Sequence, residues 1–542
     1  MKQSFRQSMA WLHTWTGLLV GWLLLLIFMG GTASYYRQEI SRWMRPELPT
    51  TQTDATTALR SAERYLRRHA ADAQSWNITL PTPRDPTMTI YWLNPAPSDG
   101  SIASRQEAYG HATIDPATGA QIQARDTMGG DFFYRLHFDL HYIPVLWARY
   151  IVGFCAMFML VAIISGVITH KKIFKDFFTF RPGKGQRSWL DFHNVSAVLA
   201  LPYHAMITYT GIITLIFMYL PWGIKATYPE GAMHFYDEAF NRTSDSREAA
   251  GVPAAMLPLD RLLQQARRQW PDDAVVGSVV VNHPNDAHAS ASITQRSRSL
   301  SVDAPSLLFD ATNGQLIQRT SDPAGASQTY GVMYGLHMGE FAQPLLRLLL
   351  FGSGLLGCLM VASGVVLWAI KERPKHLKAG RIGFGLRLVD ALNIGAVAGL
   401  PIAFASYFWA NRLVPVGIPG RADVEIAVFF YAWAAALVAA FVWPKRPMWA
   451  WQLYAGGALF AGVPVLNALT THIHLGITLP AGDWALAGVD LTCLFLGLCL
   501  GIAGWRMQHW RPPLSAAERR AKAAAGTTQP TSTIHPVQEG AS

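Results

Sequence analysis

Charge is scarce in this 542-residue chain: Asp, Glu, Lys and Arg make up 15% of it, against about 25% in ordinary soluble domains. So long a chain with so little charge and 51% hydrophobic residues does not read as a string of water-soluble globules. Cysteine is scarce too. Cys155, Cys358, Cys493 and Cys499 all lie inside apolar runs, which argues against a disulfide framework or a thiolate metal site. Carboxylates are nearly missing from those runs, with Asp390 and Asp490 the main exceptions, so a carboxylate proton relay has few candidates. The formal net charge of +10 does not point to nucleic acid, because Lys and Arg cluster beside apolar runs, as membrane topology requires.

What is present is a set of eight apolar runs. A helix needs about 20 such residues to cross a bilayer core about 30 Å thick. The runs lie near residues 10–36, 143–169, 190–219, 343–370, 384–410, 424–443, 448–470 and 484–506. The first follows Lys2 and Arg6 and is too long for the apolar core of a signal peptide, so it reads as a signal anchor. Basic loops mark the cytoplasmic side. Lys171, Lys172, Lys175, Arg181, Lys184 and Arg187 face a single Asp176 after the second run. Lys371, Arg373, Lys375, Lys378, Arg381 and Arg387 follow the fourth, Lys445 and Arg446 the sixth, and Arg511, Arg519, Arg520 and Lys522 the last. Both termini are therefore expected in the cytoplasm, with residues 510–542 a disordered tail.

Two long polar segments, about 37–142 and 220–342, then fall outside. Each opens on a helical pattern (Thr56 to Ala70; Met256 to Gln269) and continues with short β-prone runs. Each ends on one signature: Thr113-Ile114-Asp115-Pro116-Ala117-Thr118-Gly119 in the first, and Leu308-Phe309-Asp310-Ala311-Thr312-Asn313-Gly314 in the second. This internal repeat predicts a turn in which Asp accepts backbone N–H groups and Gly takes the positive φ. It resembles the end of a PepSY domain, a small module of helix on sheet. The expected fold class is a polytopic α-helical membrane protein of about eight spans with two α+β PepSY-like outer domains. The expected divisions are 1–36, 37–142, 143–219, 220–342, 343–370, four additional helices over 371–509, and the tail.

Histidine carries the chemistry. His13, His137, His141, His170, His193, His204 and His337 all fall at or near the first four spans. A lone interfacial histidine is ordinarily a cap or headgroup contact, but seven in four spans form a pattern. His13 and His193 each lie about one turn inside the membrane from the cytoplasmic side, at matching depth. His137, His141 and His337 lie near the outer surface. Two levels of neutral imidazole are what two stacked b-type haems need as axial ligands, and a doubly ligated iron suits electron transfer. The expected ligands are His13 with His193 and His141 with His337, and His137, His204 and His170 are alternatives. Gly17 and Gly21 in the first span, and Gly352, Gly354 and Gly357 in the fourth, offer close packing around a macrocycle or simply between helices. His137 and His141 are spaced i, i+4 and could share a zinc, but Phe138 replaces the glutamate that a zinc protease motif needs.

Leu12-His13-Thr14-Trp15-Thr16-Gly17-Leu18, Leu136-His137, Asp191-Phe192-His193-Asn194 with Leu201-Pro202, Thr210-Gly211, and Leu336-His337-Met338-Gly339 together resemble the PepSY-associated transmembrane helix family, over roughly residues 1–372. That family includes inner-membrane ferric-siderophore reductases of Gram-negative bacteria. The resemblance implies four core helices, two periplasmic PepSY-like domains, b haem on His13, His137, His193 and His337, and electron delivery to a periplasmic ferric siderophore or other iron chelate. Spans five to eight, His141, His170 and His204 depart from the family pattern. The extra helices would serve as an oligomerisation or partner-docking platform, or as a quinone or electron-donor site.

Three functions compete. The first is a haem-dependent ferric reductase in the bacterial inner membrane, fed by an electron donor of unknown identity. The second is a non-enzymatic scaffold or sensor whose outer modules bind a periplasmic protein or peptidase. The third, metal-ion transport, needs a polar path that the sparse carboxylates do not supply.

Overall fold

The computed structural model describes all residues except 1–3, 50, 96–107, 171–178, 230, 241–244, 246, 273, 298, 302–303, 321–324 and 510–542. The expected basic residues Lys171, Lys172 and Lys175 with Asp176, and the tail with Arg511, Arg519, Arg520 and Lys522, lie outside the described residues.

Helix α1 (Phe5–Ser34) opens on a reciprocal cap between Ser4 and Gln7 and runs without a break through the first apolar stretch. After α2 (Arg37–Trp43) the chain leaves the helical layer to form α3 (Ala55–His69) and strands β1 (Ser75–Thr79), β2 (Met88–Leu93) and β3 (Tyr109–Ile114). It returns through α4 (Gly130–Asp139) into α5 (Val145–Thr169). The same succession then repeats. Helices α6 (Gln186–Leu199) and α7 (Leu201–Thr214) are followed, after short helical turns, by α8 (Leu259–Gln269), β4 (Val276–Asn282), β5 (Ser290–Gln295), β6 (Ser306–Asp310) and β7 (Leu316–Arg319). Helix α9 (Gly325–Met338) leads into α10 (Pro344–Lys378). The remaining chain forms α11 (Phe384–Asn393), a π-turn (Ile394–Ala398), α12 (Gly399–Leu413), α13 (Arg421–Val442), α14 (Arg446–Thr470) and α15 (Trp484–His509).

Among the described residues, seven helices are long and apolar enough to cross a membrane: α1, α5, α10, the α11–α12 rod, α13, α14 and α15. The expected third span is a bent pair, with α6 and α7 meeting at 66° around Ala200. Pro202 explains the bend, since its ring displaces the carbonyl four residues back and it donates no hydrogen bond. Pro401 stands just beyond the π-turn, whose wider backbone relieves the same clash in the α11–α12 rod.

The two outer segments do not form two separate domains. Their strands make one seven-stranded antiparallel sheet in the order β3-β2-β1-β4-β5-β6-β7, and β1 pairs with β4 from Ser75↔Asn282 to Thr79↔Ser278. Alternation sets which side is buried: Trp76 and Ile78 on β1 and Val279 and Val281 on β4 turn inward. Helices α3 and α8 cover that side with Leu59, Ala62 and Leu66, and with Leu259, Leu262 and Leu263, in a single core. Glu63 on α3 accepts from the backbone N–H of Leu259, and Arg60 pairs with Asp260 at 2.7 Å, joining the two halves. The expected repeat turns are present. Asp115 Oδ1 accepts from the N–H groups of Ala117 and Thr118, and Asp310 Oδ1 accepts from those of Thr312 and Asn313. Gly119 and Gly314 take φ of +76° and +79°.

Candidate functional site

In the helical layer, four histidines make the same contact four times. Each imidazole Nδ1 meets a main-chain carbonyl of a neighbouring helix: His13 with Ala162 (2.8 Å), His193 with Met360 (2.9 Å), His137 with Ile27 (2.7 Å) and His337 with Ile207 (3.1 Å). A carbonyl only accepts, so Nδ1 carries the proton and Nε2 keeps its lone pair. Four residues beyond each carbonyl stands a glycine against the ring. A Cβ on Gly166 would lie 3.1 Å from His13, on Gly364 3.2 Å from His193, on Gly31 2.7 Å from His137, and on Gly211 2.8 Å from His337. The carbonyl aims the ring and the glycine makes room for it.

These contacts are the membrane half of the internal repeat. Ile27 and Gly31 follow His13 by 14 and 18 residues, and Ile207 and Gly211 follow His193 by the same 14 and 18. Ser165-Gly166 receives His13 on α5, and Ser363-Gly364 receives His193 on α10. Thus α1, α4 and α5 are matched by α6/α7, α9 and α10, and each histidine pair takes one member from each half. His13 and His193 have ring centroids 6.2 Å apart, and His137 and His337 6.0 Å. A metal held at about 2 Å from one nitrogen of each of two imidazoles puts the ring centres about 6 Å apart. The spacing and the free Nε2 atoms fit a doubly ligated iron. The two levels are separated by the 14-residue rise of α1, about 21 Å.

The expected inner pair of His13 and His193 is thus brought together. The outer pairing is corrected: His337 meets His137, not His141. An i, i+4 relation presumes a continuous helix, but α4 stops at Asp139, and Leu140 and His141 take φ of 51° and 55°. His141 swings away to stack on Phe430, 5.7 Å between centroids. His170 stands at the end of α5, where its Nε2 accepts from the Asn194 amide (2.9 Å). His204 is fully buried about one turn below the outer pair, with its Nε2 3.4 Å from the Ser353 carbonyl. Its position in the first half, 11 residues after His13, is Leu24, so His204 breaks the repeat.

Of the glycines singled out in the sequence, Gly21, Gly354 and Gly357 pack α1 against α10 through Val365, Thr32 and Phe28, while Gly17 and Gly352 face open space. The four glycines that cradle imidazoles went unread, although the equal spacing of 18 residues and the recurring Ser-Gly pair were visible signals. Trp11, Trp15, Trp147 and Tyr142 are exposed, as an aromatic belt at the membrane surface requires.

A cavity of about 430 Å³ contains His137 and His337 in its wall and reaches toward the sheet. Leu24, Ile27 and Phe28 line its depth, and Arg37, Arg84, Arg149 and Arg347 its sheet-side end. Among the described residues, no three His, Cys, Asp or Glu side chains gather as a metal site of their own.

Sequence reasoning also missed a buried polar network in the last four spans. Glu425 accepts from Arg421, Asn411 and Thr127, and Asp490 accepts from Trp43 and Asn467. Arg412 donates to Asn467 and to the Trp43 carbonyl, with its guanidinium over the Trp43 ring. The Tyr407 hydroxyl donates to the Gly129 carbonyl (3.1 Å). These residues hold α2 and the segment 125–130, from which α4 departs carrying His137.

Fold and site together define a multi-pass membrane protein with a duplicated helical unit, two stacked histidine pairs and a sheet module at one end. The sequence profile of the PepSY-associated TM region matches residues 10–371, and the chain belongs to that family. It is also 26% identical, over 388 residues, to an uncharacterized protein of Pseudomonas aeruginosa, a match that covers 67% of this chain and 92% of that protein.

Proposed function

We propose that this chain is a haem-bearing oxidoreductase of the bacterial inner membrane that carries electrons across the bilayer and reduces ferric iron, held in a siderophore or similar chelate, on the sheet side. The observation that supports this most directly is the two-level pairing of His13 with His193 and of His137 with His337, each ring with a protonated Nδ1 and a free Nε2. His13 with His193 and His137 with His337 would hold haem b, which would supply one-electron chemistry there. The protein's own part is positional. Carbonyls of Ala162, Met360, Ile27 and Ile207 fix each imidazole's tautomer and direction, as outer-shell acceptors do at metal sites. A separation of about 21 Å covers most of a hydrocarbon core about 30 Å thick. Lys184 and Arg187, Lys371 to Arg387, and Lys445 and Arg446 follow the positive-inside pattern for the end away from the sheet, which supports a periplasmic sheet module. One electron to each Fe(III) gives Fe(II), which hard oxygen ligands hold less firmly, so reduction releases the metal.

The absorption spectrum of the detergent-solubilised full chain, produced with ample haem, tests this. The expected result is a Soret band, an α band sharpened by dithionite, and about two haems per chain. A colourless protein would overturn the proposal and favour a binding module that acts on a periplasmic protein.

A further inference from the structure

We propose that Arg347, with Arg84 beside it, forms a carboxylate-binding site at the sheet-side end of the outer cavity and that its ligand is a propionate of the macrocycle held by His137 and His337. This rests on the haem reading above. The observation is a charge imbalance. Four arginines line that end of the cavity, Arg37, Arg84, Arg149 and Arg347. Among the described residues three carboxylates serve them, and each is held most closely by an arginine other than Arg347. Glu340 pairs with Arg37 at 3.2 Å, Asp139 with Arg149 at 2.9 Å, and Glu39 takes both Nε and a terminal nitrogen of Arg84 at 2.7 and 2.8 Å. Arg347 is left with the same Glu39 at 3.6 Å and a hydrogen bond to the Ala342 carbonyl.

The Arg347 side chain is only 11% exposed. A guanidinium so far from water is costly unless a counter-charge compensates it, and its planar fork of donors suits a carboxylate. The cavity that holds this excess positive charge is the one whose wall carries His137 and His337. A ligand with its ring between those imidazoles and an acidic arm toward the sheet satisfies both ends. Arg84 reaches the cavity from the loop between β1 and β2 and also donates to the Tyr35 carbonyl, so the sheet module itself would touch the bound group.

The test is spectroelectrochemical titration of the haem-loaded full chain without any iron chelate. The outer centre is identified as the one lost in His337→Ala. In Arg347→Gln the outer centre's midpoint potential is expected to fall, because a cation that favours the reduced state is removed, while the inner centre stays put. Arg347→Lys should recover part of the shift, and Arg60→Gln, on α3 of the sheet module and outside the cavity lining, should produce none. Where Arg347→Gln loses the outer haem altogether while the inner one remains, the proposal is also supported, provided Arg347→Lys regains it. An outer potential equal to wild type in Arg347→Gln overturns the assignment. A wild-type chain with no haem sinks the underlying reading instead, so the two failures are distinct.

Discussion

His137 and His337 stand 200 residues apart in the chain, yet their rings lie 6.0 Å apart with planes inclined by 27°. His141, only four residues from His137, is turned onto Phe430 and takes no part in this pair. Replacing His137 by Ala is therefore expected to lower the haem content from about two per chain to about one. His141→Ala is expected to leave it unchanged. A pyridine haemochromogen assay of the purified variants reads both, and equal losses in the two would refute the outer pair.

The glycine cradles make a sharper test of geometry than the ligands themselves. A methyl group on Gly211 would sit 2.8 Å from the His337 ring, while one on Gly17 meets nothing within 4 Å. Gly211→Ala should broaden and shift the outer haem's α band and weaken its retention, and Gly17→Ala should do neither. Low-temperature reduced-minus-oxidised spectra separate the two cases.

Glu425 gathers Arg421, Asn411 and Thr127 around a fully buried carboxylate. Removing one partner of such a pair leaves a buried charge uncompensated, at a cost of about 3–5 kcal/mol. Glu425→Ala should lower the unfolding midpoint of the detergent-solubilised protein, and replacing Arg421 and Glu425 together by Met should cost less than Glu425→Ala alone. A larger loss in the double variant would show that the pair does not act through mutual charge compensation.

Acid should loosen the sheet module through Asp245. Burial alone would raise its pKa, but hydrogen bonds from the Arg247 guanidinium and backbone N–H, together with the guanidinium charge, hold it down to about 2. A carboxyl depressed on folding adds stability that is present above its unfolded pKa and disappears as pH falls through the folded value. The contribution should thus be intact at neutral pH and fade below about pH 4 toward pH 2. Hydrogen exchange in β5 and β6 should rise over that window in wild type, and Arg247→Gln, which takes away the charge that depresses the folded-state pKa, should flatten this rise and start from a less protected sheet at neutral pH.

Much of this was legible in the sequence. Apolar length located the spans, and the paired Asp-to-Gly signatures located both turns, because each is a local property of the chain. The inner histidine pair was legible for the same reason, since depth along a helix follows from residue count. The outer pair was legible only through the family resemblance, which named His137 and His337; depth along the chain pointed to His141 instead, because the left-handed Leu140 and His141 that end α4 have no distinct sequence mark. The single sheet was not legible, because its central β1–β4 ladder depends on long-range pairing. The last four spans looked nearly silent because Arg412, Arg421 and Glu425 read as span edges and Asp490 stood as an isolated carboxylate inside its run. Their partners, Trp43 and Thr127, come from segments far away in sequence.

The β1–β4 ladder also dictates an order of events during biogenesis. From the end of β1 to the start of β4 the ribosome must add on the order of 200 residues, roughly 10–40 s of synthesis at ordinary rates. Through that interval Trp76 and Ile78 have no completed core to enter, and the edge of β1 has no neighbour, a state that invites misassociation. The first half of the protein is thus a client awaiting its second half, and a nascent chain stalled between α5 and α7 should be the form most dependent on chaperones and most readily degraded.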